Sequence, residues 1–279
     1  MTRVTVVVEN RASTRNVLSE HGLSLWIEHE GRHVLFDTGG GRTLAPNVRS
    51  LRIPLEKADA IVLSHGHYDH TGGLLEALKL IGHETPVYVH PKALESKFSK
   101  TTGTPRRINV PEVNRDCIEA YHGRVHFTEA PTEIVPGLFA TGPVPRVTDY
   151  EKPPRTFFLD EACTIPDPVE DDQSIYFYTG DRLIVLCGCA HAGVVNTLRY
   201  VASLTGDRPQ AVLGGMHLLN SGPDIIDRTI SELRELGVTL FAPSHCTGIP
   251  MTAALWDRFP NQCRDFGCGQ VVEFDAAAK

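Results

Sequence analysis

Between Ala60 and Gly73 the chain reads AIVLSHGHYDHTGG, an apolar run that ends directly in three histidines and an aspartate within six positions. A continuous apolar run of this length, bounded by turn residues, reads as a strand buried on both faces. It delivers the polar cluster at its C-terminal end. One loop or core histidine would be ordinary, but with 13 histidines in 279 residues a fixed pattern of three His and one Asp arises by chance in roughly 0.002 of such chains.

The neighbouring segments supply layers around that strand. RVTVVVEN, LSLWIEH and HVLFDTG are short β-branched or aromatic runs closed by turn residues, an opening meander. After the histidines, TGGLLEALKL has helical spacing with Thr71 as its expected N-cap, and PVYVH returns to strand. RVHFTE, TEIVPGLFAT and RTFFLD read as a second meander, and SIYFYTGDRLIVLCGCA as a hairpin about a Thr-Gly-Asp turn. Helix and strand then alternate through HAGVVNTLRYVASL, QAVLGGMHL, PDIIDRTISELREL, VTLFAPSHC and TAALWDRF to the closing strand QVVEF. Both halves thus run from meander to helix-strand alternation. The expected fold class is α+β, an αββα sandwich of two mixed β-sheets flanked by helices, forming one domain over 1–279. The weakly periodic stretch around 91–116 is expected to be a lid-like insertion.

Composition narrows the partners. A net charge of -7 opposes general affinity for nucleic acid or anionic membranes, which need a concentrated basic face. No window approaches the about 18 to 20 apolar residues of a membrane span, and MTRVTVVVEN lacks a signal-peptide core, so a cytoplasmic location is expected. Seven scattered cysteines suit free thiols better than a disulfide framework. Cys187 is expected to be a buried structural residue, whereas Cys189 stays open between packing and metal ligation.

Residues two apart on an extended loop point the same way, so His65 and His67 can share one ion while Asp69 and His70 face a second. Gly66 lets the loop curl. His191, His217 and His245 each follow an apolar strand and can reach the same rim. His217 stays open among ligand, substrate-facing group and structural histidine. Solvated or structural roles suffice for His21, His29, His33, His83, His90, His122 and His126. Arg42, Arg146 and Arg155 are candidate planar forks for an anionic substrate.

The segment His-x-His-x-Asp-His after a buried strand resembles the metal-binding signature of the metallo-β-lactamase superfamily. That resemblance implies an αββα fold with one or two divalent ions between the sheets, zinc first and Mn or Fe as alternatives. VLFDTGGG resembles the superfamily's early Asp-x-Gly turn, whose aspartate, here Asp37, supports the histidine loop. HGLSLWIE, SHGHYDHTGGL, GCAHAGVVNTL, GGMHL and SHCTG together resemble the branch that includes the archaeal dihydropterin-methyl-aminobenzene ribofuranosyl phosphate synthases. His245 matches the superfamily's last metal histidine in order and context. The chain departs from the pattern at ATGPVPRVTD, where a third histidine would stand, and at CGCAH, where a Gly-Asp would stand. His191 therefore replaces either that histidine or the bridging aspartate.

The expected metal ligands are His65, His67, Asp69, His70, His191 and His245, with Asp69 and His217 in catalytic roles. The first expectation of function is a metal-dependent hydrolase that uses metal-bound hydroxide on a small anionic ester, most simply a phosphoester or cyclic phosphate. The alternative implied by the branch is a transferase that joins a pterin diphosphate to an aminobenzene ribofuranosyl phosphate with loss of pyrophosphate. A third is a metal-binding or redox protein without hydrolysis. With only 7% aromatic residues no stacking platform for two ring systems is evident, although Phe157, Phe158 and Trp256 could supply one after folding.

Overall fold

A computed structural model describes residues 1–121 and 124–275; His122, expected to be a structural or solvated histidine, lies outside them. Among the described residues the first sheet has seven strands, in spatial order Val271–Phe274, Thr2–Val8, Ser24–His29, Arg32–Phe36, Ala60–Val62, Val87–Val89 and Val125–Phe127. The second has six, in the order Leu240–Ser244, Ala211–Gly215, Arg182–Cys187, Ser174–Thr179, Leu138–Ala140 and Thr132–Val135. Each sheet is antiparallel where the chain meanders and parallel where helices intervene. The expected αββα sandwich is therefore the observed fold.

Side-chain alternation along the strands explains the four layers, because successive residues face opposite sides of a sheet. Ala60 and Val62 join Phe36, Leu138, Phe177, Ile184 and Leu213 in the core between the sheets. Ile61 faces the other way and packs with Trp26, Leu35, Leu74 and Ile81 under the helices Leu44–Leu51 and Leu74–Ile81. In the second sheet Leu183 and Val185 likewise turn outward, beneath Val194–Thr205, Pro223–Glu235 and Gly248–Arg258. Burial on both faces is why these parallel strands read as unbroken apolar runs. No helix among the described residues is long and apolar enough to cross a membrane.

Two local expectations are corrected. Thr71 is not the N-cap of the following helix: it ends a single helical turn, Tyr68–Thr71, and its hydroxyl donates to the His67 carbonyl (2.9 Å), so Gly73 takes the cap position. The proposed second meander is split, since Val125–Phe127 pairs in parallel with Val87–Val89 of the first sheet. Phe157–Phe158 instead joins Phe98–Ser99 and Arg106–Arg107 in a small third sheet. Alternation marks a strand but does not name its partner. The stretch 91–116 thus contributes two strands of that third sheet and enters the helix Glu112–Ala120.

The parallel strands of both sheets end along one rim, which receives the loops that begin at Leu63, Gly188, Met216 and His245. Phe177, fully buried at the centre of the inter-sheet core between His29 and Phe274, tests how far the two sheets depend on each other. Phe177→Ala is expected to lower unfolding free energy by about 3–5 kcal/mol in denaturant titration; a loss below about 1 kcal/mol would show that the sheets are held together elsewhere.

Candidate metal centre

The histidine loop hangs from a buried carboxylate. Asp37, fully buried at the end of strand Arg32–Phe36, accepts hydrogen bonds from the Ser64 N–H (2.7 Å) and the Ser64 hydroxyl (2.7 Å), and pairs with His70 Nδ1 (2.7 Å). The Ser64 hydroxyl also meets His65 Nδ1 at 2.9 Å. Engaging Nδ1 of both rings leaves Nε2 of each to face the cavity, the arrangement that orients an imidazole toward a metal.

A second clamp grips the loop from beyond. The Gly66 N–H donates to Asp171 Oδ2 (2.7 Å), and Asp171 and Asp167 both accept from the buried Lys97 ammonium (2.8 and 3.0 Å). Burial penalises the Asp171 charge, but Lys97 outweighs it and holds the carboxyl below its usual range. Gly66 is required for space rather than for an unusual backbone angle: a Cβ there would stand 2.1 Å from the Ala93 carbonyl oxygen.

His65 Nε2 lies 2.9 Å from His67 Nδ1 and 3.2 Å from His191 Nε2. His70 Nε2 lies 3.1 Å from His245 Nε2 and 3.2 Å from Cys189 Sγ. Asp69 Oδ2 stands 3.5 Å from His245 Nε2 and 3.8 Å from His70 Nε2. The six expected ligands therefore converge, in two neighbouring groups. Ligands about 2.0–2.3 Å from a tetrahedral ion lie roughly 3.3–3.8 Å apart, close to these separations. His67 Nε2 and His191 Nδ1 are also buried without a hydrogen-bond partner among the described residues. The donor set fits divalent ions.

Both halves of the rim are built under strain. Asp37, Ala190, His217 and His245 all take left-handed backbone angles (φ 59°, 52°, 50° and 50°), which non-glycine residues adopt at a cost and which cluster at functional sites. Gly188 lets the CGCAH loop reach the first half, since a Cβ there would meet the Ser64 hydroxyl at 2.2 Å. His217 lines the same cavity with its ring 4.1 Å from that of His191, and its N–H donates to Cys246 Sγ (3.3 Å).

Burial sets the electrostatics. It drives His65 and His191 well below the usual imidazole range, His67 to about 3 and His245 to about 4, so these rings are neutral and carry lone pairs at neutral pH. Burial also opposes charge on His70, yet Asp37 and Asp69 more than offset it and raise the ring to about 9. For Asp69 burial raises the pKa, but His70, His21, His245 and His67 hold it well below the carboxylate range.

Some participants escaped the sequence reading. His21, expected to be merely solvated or structural, stands at the cavity mouth with Nε2 3.1 Å from Asp69 Oδ2, and Asn10 Oδ1 meets His245 Nδ1 at 2.9 Å. Of the three expected arginines only Arg155 lines the cavity. Arg146 instead donates to the carbonyls of Pro168 and His191, bracing the His191 loop, and Arg42 is exposed on the first-sheet side. Arg106 and Lys152, not singled out by any motif, line the wall with Arg155. Phe157 enters the cavity beside Tyr68, while Phe158 and Trp256 do not.

A family model of the metallo-beta-lactamase superfamily matches residues 20–245. The chain is 30% identical over 266 residues to 7,8-dihydropterin-6-methyl-4-(beta-D-ribofuranosyl)-aminobenzene-5'-phosphate synthase of Methanocaldococcus jannaschii, covering 92% of this chain and 90% of that protein. An uncharacterized protein of the same organism is 28% identical over 269 residues, covering 96% and 97%. The crystal structure of a metal-dependent hydrolase of the beta-lactamase superfamily superposes with a TM-score of 0.84 at 30% identity, covering 99% of this chain and 100% of that one. The chain belongs to the metallo-beta-lactamase superfamily, whose members typically bind divalent metals.

The depressed imidazoles fix the sign of an acid response. The unfolded chain takes up protons near pH 6.5, whereas folded His245 and His67 resist until about 4 and about 3. The stability these rings contribute is complete above about pH 6.5 and is lost as pH falls toward 4. Thermal melts of chelator-treated protein are expected to show a falling midpoint from pH 6.5 to 4; a flat midpoint would contradict neutral, desolvated rings.

Proposed function

We propose that this member of the metallo-beta-lactamase superfamily is a metal-dependent hydrolase of a small organic phosphate, with His65, His67, Asp69, His70, His191 and His245 as ligands of two divalent ions, zinc in preference to Mn or Fe. One observation carries the reading: a cavity of about 480 Å³ is lined both by the imidazole cluster and by Arg106, Lys152 and Arg155. None of these three cations is in an ion pair among the described residues. A chain of net charge -7 that gathers unpaired cations in the same cavity as a candidate metal site is arranged to receive an anion.

When bound, a pair of divalent ions lowers the pKa of water and stabilises charge on the attacked phosphoryl oxygens. The chain's own groups do the rest. Arg106 and Arg155 can grip phosphate oxygens as planar forks and Lys152 as a point charge. Asp69, an ionised carboxylate aimed at the floor of the cavity, orients the attacking water and accepts its hydrogen bond. His217 flanks the cavity beside His191 and Phe157, placed to donate to the substrate. The buried floor excludes bulk water from the reacting atoms.

A second reading is favoured by a specific observation. Tyr68 and Phe157 line the same cavity, so an aromatic substrate has ring faces to meet, and the M. jannaschii relative is named a synthase that makes an aminobenzene phosphate product. The same cations would then bind a diphosphate while an arylamine displaced pyrophosphate.

Asp69→Asn is expected to lower kcat by about 100-fold or more and to keep the melting temperature within a few degrees. A collapsed fold with full activity per folded molecule would assign Asp69 to structure instead. The reaction class is read from metal-reconstituted enzyme offered phosphomonoesters, phosphodiesters, cyclic nucleotides, thioesters and lactones, beside a pterin diphosphate with an aminobenzene ribofuranosyl phosphate. Phosphate release from at least one organic phosphate is expected. Product only in the coupled reaction would replace hydrolysis by transfer.

A further inference from the structure

Cys189 is the one donor that stands in both ligand groups. Its Sγ lies within 4.8 Å of donor atoms of His65 and His191, and equally within 4.8 Å of donor atoms of His70 and His245. We propose that Cys189 is a metal ligand shared by the two ion positions, its thiolate bridging the His65–His191 group and the His70–His245 group. This rests on the metal-dependent reading of the site and adds a sulfur to it.

The other cysteines show what a structural thiol looks like in this fold. Cys187, two residues earlier at the end of strand Arg182–Cys187 and facing the helices, packs among Leu183, Val185 and Val212. Cys268 accepts from Asn47 Nδ2 (3.3 Å) and donates to the Val7 carbonyl (3.0 Å). Cys246, although near His217, accepts the His217 N–H (3.3 Å) and donates to the Cys189 carbonyl (3.5 Å). Cys189 differs in where its sulfur sits: besides neighbouring the Cys246 and His217 donor atoms, it lies 3.2 Å from His70 Nε2 and lines the cavity. A neutral thiol is a weak hydrogen-bond group, so burial against imidazole nitrogens serves it poorly, whereas a thiolate is a strong ligand for zinc and other borderline ions.

The local backbone is shaped to put the sulfur there. Gly188 removes the side chain that would clash with Ser64. Ala190 turns left-handed immediately after the cysteine, which sends His191 back to the same centre. Gly215 has no room for a Cβ, which would stand 2.3 Å from the Gly188 carbonyl oxygen. On loading, the S–H bond breaks, its electron pair forms the sulfur–metal bond, and its proton leaves to solvent.

Cobalt(II) replaces zinc without changing the ligands and reports sulfur directly through thiolate-to-metal charge-transfer absorption. Wild-type protein loaded with cobalt is expected to hold about two ions per chain and to show that absorption. Cys246→Ser should keep it. Cys189→Ser and Cys189→Asp should lose it, with Cys189→Asp retaining both ions because a carboxylate can also bridge, and Cys189→Ala falling toward one. Two bound cobalt ions without charge transfer in the wild type, or an undiminished band in Cys189→Ser, would overturn the thiolate bridge while leaving the metal site intact. Failure to bind cobalt at all would overturn both.

Discussion

The Asp37 carboxylate is the contact on which the site depends. It is fully buried, and its charge is compensated by the Ser64 N–H, the Ser64 hydroxyl and His70 Nδ1. These partners come from both ends of the histidine loop, so one anion sets the start of the loop and the orientation of its last imidazole. Ser64 extends the network to His65, and Gly188 brings the CGCAH loop against the same pair, where any side chain would strike Ser64. Leaving such a carboxylate buried without its partners would cost several kcal/mol, which makes the assembled loop the state in which the charge is tolerated.

The sheets explain why this network meets the second half of the chain. Each sheet contributes parallel strands whose C-terminal ends open onto a common rim, and the inter-sheet core of Val62, Phe36, Leu186 and Leu213 fixes their spacing. Strand Val271–Phe274, last in the chain, pairs with Thr2–Val8 at the edge of the first sheet. Glu9 follows that strand and accepts the His245 N–H (2.6 Å), and Asn10 reaches the His245 ring. The last candidate ligand group is thus held by the residues that follow the first strand of the chain. The strained angles at His217 and His245 are the local consequence of two rigid halves converging on one point.

Much of this was legible in sequence, for identifiable reasons. The runs at Ala60, Arg182 and Ala211 are apolar on both faces because they are central strands, and periodicity reports burial directly. The histidines His65, His67, His70, His191 and His245 could be gathered because each follows such a run. His21 was not: it opens the HGLSLWIE motif in a turn before a strand, with no ligand pattern around it, and it reaches Asp69 because that turn is tied to the histidine loop by the Leu23 N–H donating to the Asp69 carbonyl (3.2 Å). Arg106 and Lys152 were invisible for the same reason. A basic residue near a loop carries no mark of whether it faces substrate or backbone carbonyls, and the candidate Arg146 faces the carbonyls. Phe157 was read as part of a meander, and its true partner, Phe98–Ser99, is far away in sequence.

The small third sheet is therefore where function and sequence pattern part company. The imidazole floor, where the proposed divalent ions would be held, is built by the two large sheets and their strand ends. The wall is different: Ser99, Arg106 and Phe157 come from three strands of two residues each, and Lys152 and Arg155 from the loop leading into one of them. Strands so short contribute little to the cores of the larger sheets, so residues on them can change without disturbing the layers beneath. Under the proposed function, specificity would then reside on an element that the main fold does not constrain, and the chemistry on one that it constrains strictly.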